Sequence, residues 1–138
     1  MSRYLLDTNA LSEPIKPAPN IGFMRQLQEH RHACAIASVS WHEALYGLSR
    51  MPHGRRRQAL EEYLYTVVRA AFPMVPYGTE AAEWHAQERA RLMAVGRPPP
   101  FADGQIAAIA KVHGLVLVSA NLADMRLFDG VDVVSWHG

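Results

Sequence analysis

The sequence lacks several features that mark whole classes of protein. It has a single cysteine, Cys34, so an internal disulfide framework is excluded. No apolar run approaches the ~20 residues that span a bilayer. No basic segment followed by an apolar one opens the sequence, so we expect no signal peptide and a cytoplasmic location. Glycine-rich phosphate loops of the GxxxxGK or GxGxxG type are also missing, as are histidines at metal-ligand spacing.

Lysine is scarce as well, which leaves arginine to carry the positive charge. Of the 14 basic residues only Lys16 and Lys111 are lysine, and the net charge is +1. Arginine forms forked, bidentate contacts with phosphate or carboxylate. Three arginines stand together at 55–57, which is consistent either with a solvated surface or with a phosphate-bearing partner.

What the sequence does contain is typical of a globular chain. Its 138 residues suit one domain over 1–138, and 49% of them are hydrophobic and 20% charged. Apolar strand-like runs alternate with helical patterns. Strands are predicted at 3–7, 33–39, 74–76, 115–119 and 131–136. Helices are predicted at 21–30, 40–50, 55–72, 79–95, 103–113 and 122–128.

This alternation predicts an α/β fold with three layers, in which helices cover both faces of a central sheet. The sheet should be mainly parallel and have about four or five strands, because strand–helix–strand units produce parallel pairing. In such sheets, ligands bind at the carboxyl ends of the strands. The search for functional residues therefore begins at that edge.

Four polar residues are expected at this edge of the sheet. Asp7 ends the first strand, Asp103 opens a helix, Asn121 follows the 115–119 strand, and Glu43 lies in the first turn of the helix after the second strand. Close carboxylates repel one another unless a cation neutralises them. Oxygen ligands of this kind suit Mg²⁺ or Mn²⁺ better than Zn²⁺. Thr8, Asn9 and Ser119 are polar neighbours that can orient Asp7 or a bound ligand.

Each of the four residues also has a purely structural interpretation. Asp7 can cap the turn that follows it. Ser40 and Glu43 have the spacing of a capping box, in which Glu43 bonds back to the Ser40 amide. Asp103 can be the N-cap of the 104–113 helix, and asparagine is common in turns such as the one at Asn121.

Four segments, in this order, carry a resemblance to a known family: LLDTNALSEP, SVSWHEALYG, PFADGQIAAIA and VLVSANLADM. Together they resemble the PIN-domain ribonucleases, specifically the VapC/FitB-type toxins of type II toxin–antitoxin pairs, over essentially the whole chain. The resemblance implies a PIN-like fold and an endoribonuclease that depends on Mg²⁺, with Mn²⁺ as a substitute. It also implies a homodimer and a small cognate antitoxin partner.

The resemblance assigns roles residue by residue. The three acids of the family fall on Asp7, Glu43 and Asp103, and its fourth position falls on Asn121, where the family usually has Asp. The substitution removes one negative charge, and Asp124 is a nearby acid that can replace it. Asp7 and Asp103 are then expected to bind the metal directly, with Glu43 and Asn121 bound directly or through water.

Two further interpretations compete with the nuclease. The chain can be a PIN-like module that binds a partner protein and cleaves nothing, and the asparagine at position 121 keeps this alternative open. Phosphotransfer enzymes of other α/β families fit less well, because they need a second acid next to Asp7 or an acid after the third strand. In the nuclease interpretation Arg55, Arg56 and Arg57 hold the RNA backbone.

Overall fold

A computed structural model describes residues 1–138 and contains one five-stranded sheet. All neighbouring strands pair in parallel. The strands are β1 (Tyr4–Leu6), β2 (Cys34–Ala37), β3 (Met74–Val75), β4 (Val116–Val118) and β5 (Val133–Val134). The predicted α/β class and the parallel sheet are therefore confirmed, although every strand is shorter than its apolar run.

Eight α-helices connect and cover these strands. They are α1 (Thr8–Ser12), α2 (Ile21–His30), α3 (Ser38–Arg50), α4 (Arg55–Glu62), α5 (Arg69–Ala71), α6 (Thr79–Ala94), α7 (Phe101–Val112) and α8 (Leu122–Met125). A π-helical segment, Tyr63–Val68, joins α4 to α5, so the rod predicted over 55–72 is not a uniform α-helix. No helix is long and apolar enough to cross a membrane.

The order of the strands in space determines where a ligand site can form. The sheet runs β3-β2-β1-β4-β5, so the chain builds outward from β1 to β3 and then returns to place β4 beside β1. The direction of winding reverses between β1 and β4. In open parallel sheets the loops diverge at such a point and leave a crevice at the carboxyl ends of the strands.

The two faces of the sheet are buried in two separate apolar clusters. Leu6 and Ile36 point into one, with Phe23 and Leu64 from the covering helices. Their strand neighbours Leu5 and Leu117 point into the other, with Ile106, Ile109 and Leu92 from α6 and α7. Residues that alternate along a strand thus face opposite layers, which confirms the three-layer arrangement.

Two helices begin earlier than predicted, and both differences change the interpretation of a site residue. α3 begins at Ser38, with Ala37 as its N-cap and no capping side chain. Glu43 is therefore in the second turn, and the predicted Ser40–Glu43 capping box is wrong. α7 begins at Phe101 after Pro100, so Asp103 lies in its first turn, and its predicted role as an N-cap is wrong.

Candidate active site

Asp7 lies directly after β1, at the reversal point of the sheet, and only 4% of its surface is exposed. Its Oδ1 accepts a hydrogen bond of 2.8 Å from the backbone N–H of Ala10, so the predicted capping role is confirmed. The Ser119 hydroxyl and the Asn9 amide stand near the carboxylate and lower its pKa. Burial nevertheless raises the pKa of Asp7 above its ordinary value. The cap therefore uses only Oδ1 of Asp7. Because burial disfavours the ionised carboxylate, a bound cation would stabilise it.

Asp103 approaches the same place from α7 and is partly buried. Burial is the main cause that raises its pKa, and the negative charges of Asp7 and Asp124 raise it further. The charges of Asp7 and Asp124 thus act on Asp103, although the three residues come from the end of β1, from α8 and from α7. Acids drawn together without a counter-charge raise the free energy of the folded chain, and a bound cation removes that cost.

The segment after β4 brings Asn121 and Asp124 together. The Asn121 side chain donates through Nδ2 to Oδ2 of Asp124 at 2.9 Å. Its backbone N–H donates to the Ser119 hydroxyl oxygen at 2.9 Å, and the Ser119 hydroxyl lowers the pKa of Asp7. Ser119 therefore stands between the segment after β4 and the carboxylate at the end of β1. Asn121 orients the carboxylate of Asp124.

Glu43 lies on α3, and 40% of its side chain is exposed. Its Oε1 lies 3.8 Å from Nδ1 of His42, beyond hydrogen-bonding distance. It lines a cavity of about 580 Å³ between α3 and α7 that also includes Tyr77, Phe101 and Gln105. Glu43 is thus more open to solvent and to a ligand than Asp7, and it lines the cavity directly.

Several predicted site residues lie at the margin of this arrangement or outside it. The side chains of Thr8 and Asn9 form no hydrogen bond to Asp7, and Asn9 contributes only its backbone amide. Arg55 and Arg56 are exposed at the start of α4 and do not line the cavity. The Arg57 guanidinium donates through Nη1 to the Met51 carbonyl at 2.8 Å, which gives it a structural role.

The sequence reasoning missed the aromatic and amide residues around the acids. Phe101 and Gln105 of α7 line the cavity with Glu43, and a correct helix start would have placed these two residues, four positions apart, on one face of α7. Tyr77 and His85 carried no sequence signal. The Tyr77 hydroxyl lies 2.8 Å from Nδ1 of His85 in α6, and His85 meets Phe101 because α6 packs against α7.

The donor chemistry of the site suits a hard divalent cation. Asp7 and Asp103 offer carboxylate oxygens whose pKa values are raised by burial. No three His, Cys, Asp or Glu side chains stand close enough to enclose an ion as they are arranged here. Mg²⁺ is commonly held by one or two carboxylates and keeps several waters, so this open pair suits it better than Zn²⁺, which prefers a closed set of nitrogen and sulfur ligands.

Sequence comparison places this geometry among known proteins. The PIN domain family matches residues 4–129. The toxin FitB of Neisseria gonorrhoeae is 28% identical over 136 residues, covering 96% of this chain and 98% of that protein. A tRNA(fMet)-specific endonuclease VapC of Salmonella typhimurium is also 28% identical, over 99% of both chains.

Structure comparison gives the same result. The structure of FitAB bound to an IR36 DNA fragment superposes with a TM-score of 0.89 at 27% identity, covering 98% of this chain and 96% of the other. The DNA-bound VapBC structure from Salmonella typhimurium has a TM-score of 0.82 at 27% identity over 99% of both chains. With the strand order, the acids at the sheet reversal and the family match over residues 4–129, the chain belongs to the PIN-domain family.

Proposed function

We propose that this chain is a metal-dependent endoribonuclease and the toxin of a type II toxin–antitoxin pair. One observation carries the proposal: Asp7 and Asp103 meet at the sheet reversal, burial raises the pKa of both, and the charge of Asp7 raises the pKa of Asp103 further. Structural needs alone do not explain this, because the cap at Asp7 requires only one oxygen and Asp103 caps nothing. Relatives named as a toxin, a ribonuclease and a tRNA(fMet)-specific endonuclease support the same activity.

The proposed division of labour among the residues follows from their positions. Asp7 and Asp103 hold the ion, Mg²⁺ or Mn²⁺, and Asp124 supplies the third acid in place of Asn121, which orients it. Glu43 accepts a proton from a water positioned on its exposed carboxylate. When bound, the ion supplies neutralising charge for the phosphate and lowers the pKa of water.

The partners of the chain are also part of the proposal. The neighbouring structures FitAB and VapBC are complexes bound to DNA, and FitB is named a toxin, so a cognate antitoxin is proposed here. A homodimer, a cytoplasmic location and a single domain over 1–138 belong to the same proposal.

The helices α3 and α7 have no capping side chain at their N-termini. Their free N-terminal amides favour an anionic ligand, such as an RNA phosphate, near the acids.

The test is cleavage of total cellular RNA by the purified chain, freed of any antitoxin, with Mg²⁺ or Mn²⁺. We expect discrete fragments that disappear with EDTA and in the Asp7→Asn variant, which keeps a side-chain oxygen for the Ala10 amide. Manganese binding, followed by electron paramagnetic resonance, separates the alternatives. A folded chain that neither cleaves RNA nor binds Mn²⁺ would be the non-catalytic protein-binding module instead.

A further inference from the structure

The cavity beside the acids has a composition that metal binding does not explain. It is about 580 Å³ in volume, within the ~300–1,000 Å³ typical of small-ligand sites. Glu43 forms part of one wall, and Ala102, which precedes Asp103, forms part of another. Any ligand in the cavity therefore contacts Glu43, the proposed general base.

Two aromatic residues of the cavity, Phe101 and Tyr77, contact residues that lie outside it. Phe101 is 51% exposed, so part of its ring is open to a ligand. Its ring is supported by the His85 ring, with centroids 5.0 Å apart, and by the Arg89 guanidinium at 5.1 Å. Tyr77 is fixed through the 2.8 Å hydrogen bond between its hydroxyl and His85. The cavity thus offers preformed flat surfaces before any ligand arrives.

The remaining lining supplies polar atoms that the protein leaves free. The side chains of Ser38 and Gln105 form no hydrogen bond within the chain, and His42 reaches only to 3.8 Å from Glu43. The Gln105 amide carries both a donor and an acceptor group. Flat apolar walls combined with unused donor and acceptor atoms suit a planar heterocycle with a hydrogen-bonding edge.

The negative charge of Glu43 favours a neutral nucleobase over a phosphate as the ligand of the cavity. Glu43 contributes a carboxylate to the wall and no Lys or Arg side chain lines the cavity, so the Glu43 charge repels an anion, which only the N-terminal amides of α3 and α7 would favour. A neutral nucleobase avoids this repulsion. Proteins that recognise single-stranded RNA stack unpaired bases on aromatic rings and read their edges with side-chain hydrogen bonds.

We infer that the cavity formed by Ser38, His42, Glu43, Tyr77, Phe101 and Gln105 is a nucleobase subsite, which holds the unstacked base of a nucleotide next to the scissile phosphate. The inference rests on the proposed nuclease function and extends it to substrate selection. Phe101 supplies the stacking surface, and Gln105 reads the edge of the base. The preference of the enzyme for particular cleavage sites then depends in part on these two residues.

The experiment uses the full chain carrying Asp7→Asn, so that RNA chemistry does not interfere. The probes are AMP, GMP, CMP and UMP, with ribose 5-phosphate as the probe that lacks a base and N-acetyltryptophanamide as a model of a protein side chain. Binding is followed through the ¹H–¹⁵N signals of Ser38, Ala102 and Gln105. We expect at least one mononucleotide to shift these signals, while ribose 5-phosphate does not.

Variants of Phe101 test the stacking surface. Phe101→Ala should weaken the best mononucleotide by about tenfold, a typical loss for one stacked base. Phe101→Tyr should retain binding, and Phe101→Leu, which keeps bulk without a π face, should not. Met93→Ala removes a similarly exposed apolar side chain, 55% exposed and outside the cavity, and should leave binding unchanged.

Three results would overturn the subsite. They are equal shifts with ribose 5-phosphate, no shift with any mononucleotide, and tighter binding of N-acetyltryptophanamide than of every mononucleotide, which would assign the cavity to a protein partner. These outcomes are separable from the proposed function. RNA cleavage by the wild-type chain with no base binding rejects only the subsite, whereas base binding with no cleavage of any RNA rejects only the nuclease.

Discussion

The Nε2 atom of His85 occupies the space that a side chain on Gly104 would need. A Cβ at position 104 would stand 2.2 Å from that nitrogen, far inside van der Waals contact. His85 cannot easily move, because it is 2% exposed and bonded to Tyr77. Gly104 follows Asp103 directly, so the close approach of α6 to the first turn of α7 sets the position of a proposed metal ligand.

Gly104→Ala should therefore impair the site without removing any functional group. Overpacking of this kind costs about 1–3 kcal/mol, and here the strain acts on the turn that carries Asp103. We expect a lower thermal midpoint and weaker Mn²⁺ binding. The double variant His85→Ala/Gly104→Ala should recover Mn²⁺ binding, because the new methyl group then has room. If the double variant binds Mn²⁺ no better than Gly104→Ala, the contact does not position Asp103.

Substitutions at Asp7 should separate its cap from its metal role. Asp7→Asn keeps an oxygen for the Ala10 amide, whereas Asp7→Ala loses the cap at a cost of about 1 kcal/mol. Both should abolish cleavage. Because burial raises the pKa of the folded carboxyl, its ionisation opposes folding as pH rises through that range. In EDTA at neutral pH, Asp7→Asn should thus unfold at or above the wild-type temperature, and Asp7→Ala below it.

Added Mn²⁺ should raise the unfolding temperature of the wild type above that of Asp7→Asn, because only the wild type keeps the Asp7 carboxylate that binds the ion. A ligand that binds only the folded state stabilises it by RT ln(1 + L/Kd), where L is the free ligand concentration, and so raises the unfolding temperature as that concentration increases. Calorimetry with and without Mn²⁺ is the measurement. An Asp7→Asn chain that gains as much stability from Mn²⁺ as the wild type would show that the ion binds elsewhere.

The sheet and its functional edge could be predicted from the sequence because both follow from short-range patterns. Buried parallel strands are continuous apolar runs, and Asp7 stands where the first of them ends. Parallel pairing then brings Asn121 to the same edge. The order of strands and helices along the sequence was therefore sufficient to predict that Asp7 and Asn121 lie at the same edge of the sheet.

The helix starts and the cavity could not be predicted in this way. Ser40 and Glu43 have capping-box spacing, but α3 begins at Ser38 directly after β2, whose last residue, Ala37, is fully buried. Burial of the strand fixes that junction, so a local capping pattern has no influence there. The cavity depends on Tyr77 and His85 meeting Phe101 across two helices, a contact between distant residues that no local pattern encodes.

Asn121 and Asp124 should differ in their effect on metal binding. Asp124→Asn removes a carboxylate that already raises the pKa of Asp103, so we expect Mn²⁺ affinity to fall by about 10–100-fold. Asn121→Ala removes only the donor at 2.9 Å and should cost less. Asn121→Asp should strengthen Mn²⁺ binding but destabilise the metal-free chain, because it adds a charge beside Asp124.

Titration by isothermal calorimetry ranks these variants, with Asp132→Asn, an exposed acid before β5, as the control. A larger loss from Asn121→Ala than from Asp124→Asn would reverse the assignment and make Asn121 the ligand.

The three arginines at 55–57 should not act alike. Arg55→Ala/Arg56→Ala should weaken RNA binding and reduce its salt slope by about 0.7 for each lost phosphate contact. Arg57→Ala should mainly lower stability, because its guanidinium bonds to the Met51 carbonyl. The measurement is RNA affinity of the Asp7→Asn chain across salt concentrations, with the exposed Arg25→Ala on α2 as control. An unchanged slope in the double variant would exclude this surface from the RNA path.

Glu13 should make the fold sensitive to acid. Its side chain is 4% exposed and accepts hydrogen bonds from the Asn20 amide at 2.9 Å, the Lys16 ammonium at 2.9 Å and the His137 ring at 3.0 Å. These bonds, the Asn20 amide first, lower the pKa of Glu13 from 4.5 to about 2. A depressed carboxyl pKa stabilises the fold above the unfolded value. That contribution is lost as pH falls from about 4.5 towards 2.

Glu13→Gln should therefore lower the urea midpoint most at neutral pH, and the difference from wild type should shrink through the same acidic range. Glu13 lies directly after α1 and is hydrogen-bonded to His137. The substitution should therefore also destabilise α1, the helix that follows Asp7. The exposed Glu29→Gln variant on α2 provides the control, since its carboxyl has no hydrogen-bond partner in the fold. A Glu13→Gln deficit that stays constant from pH 7 to the acid limit would mean that side-chain shape, and not the charge of Glu13, stabilises this junction.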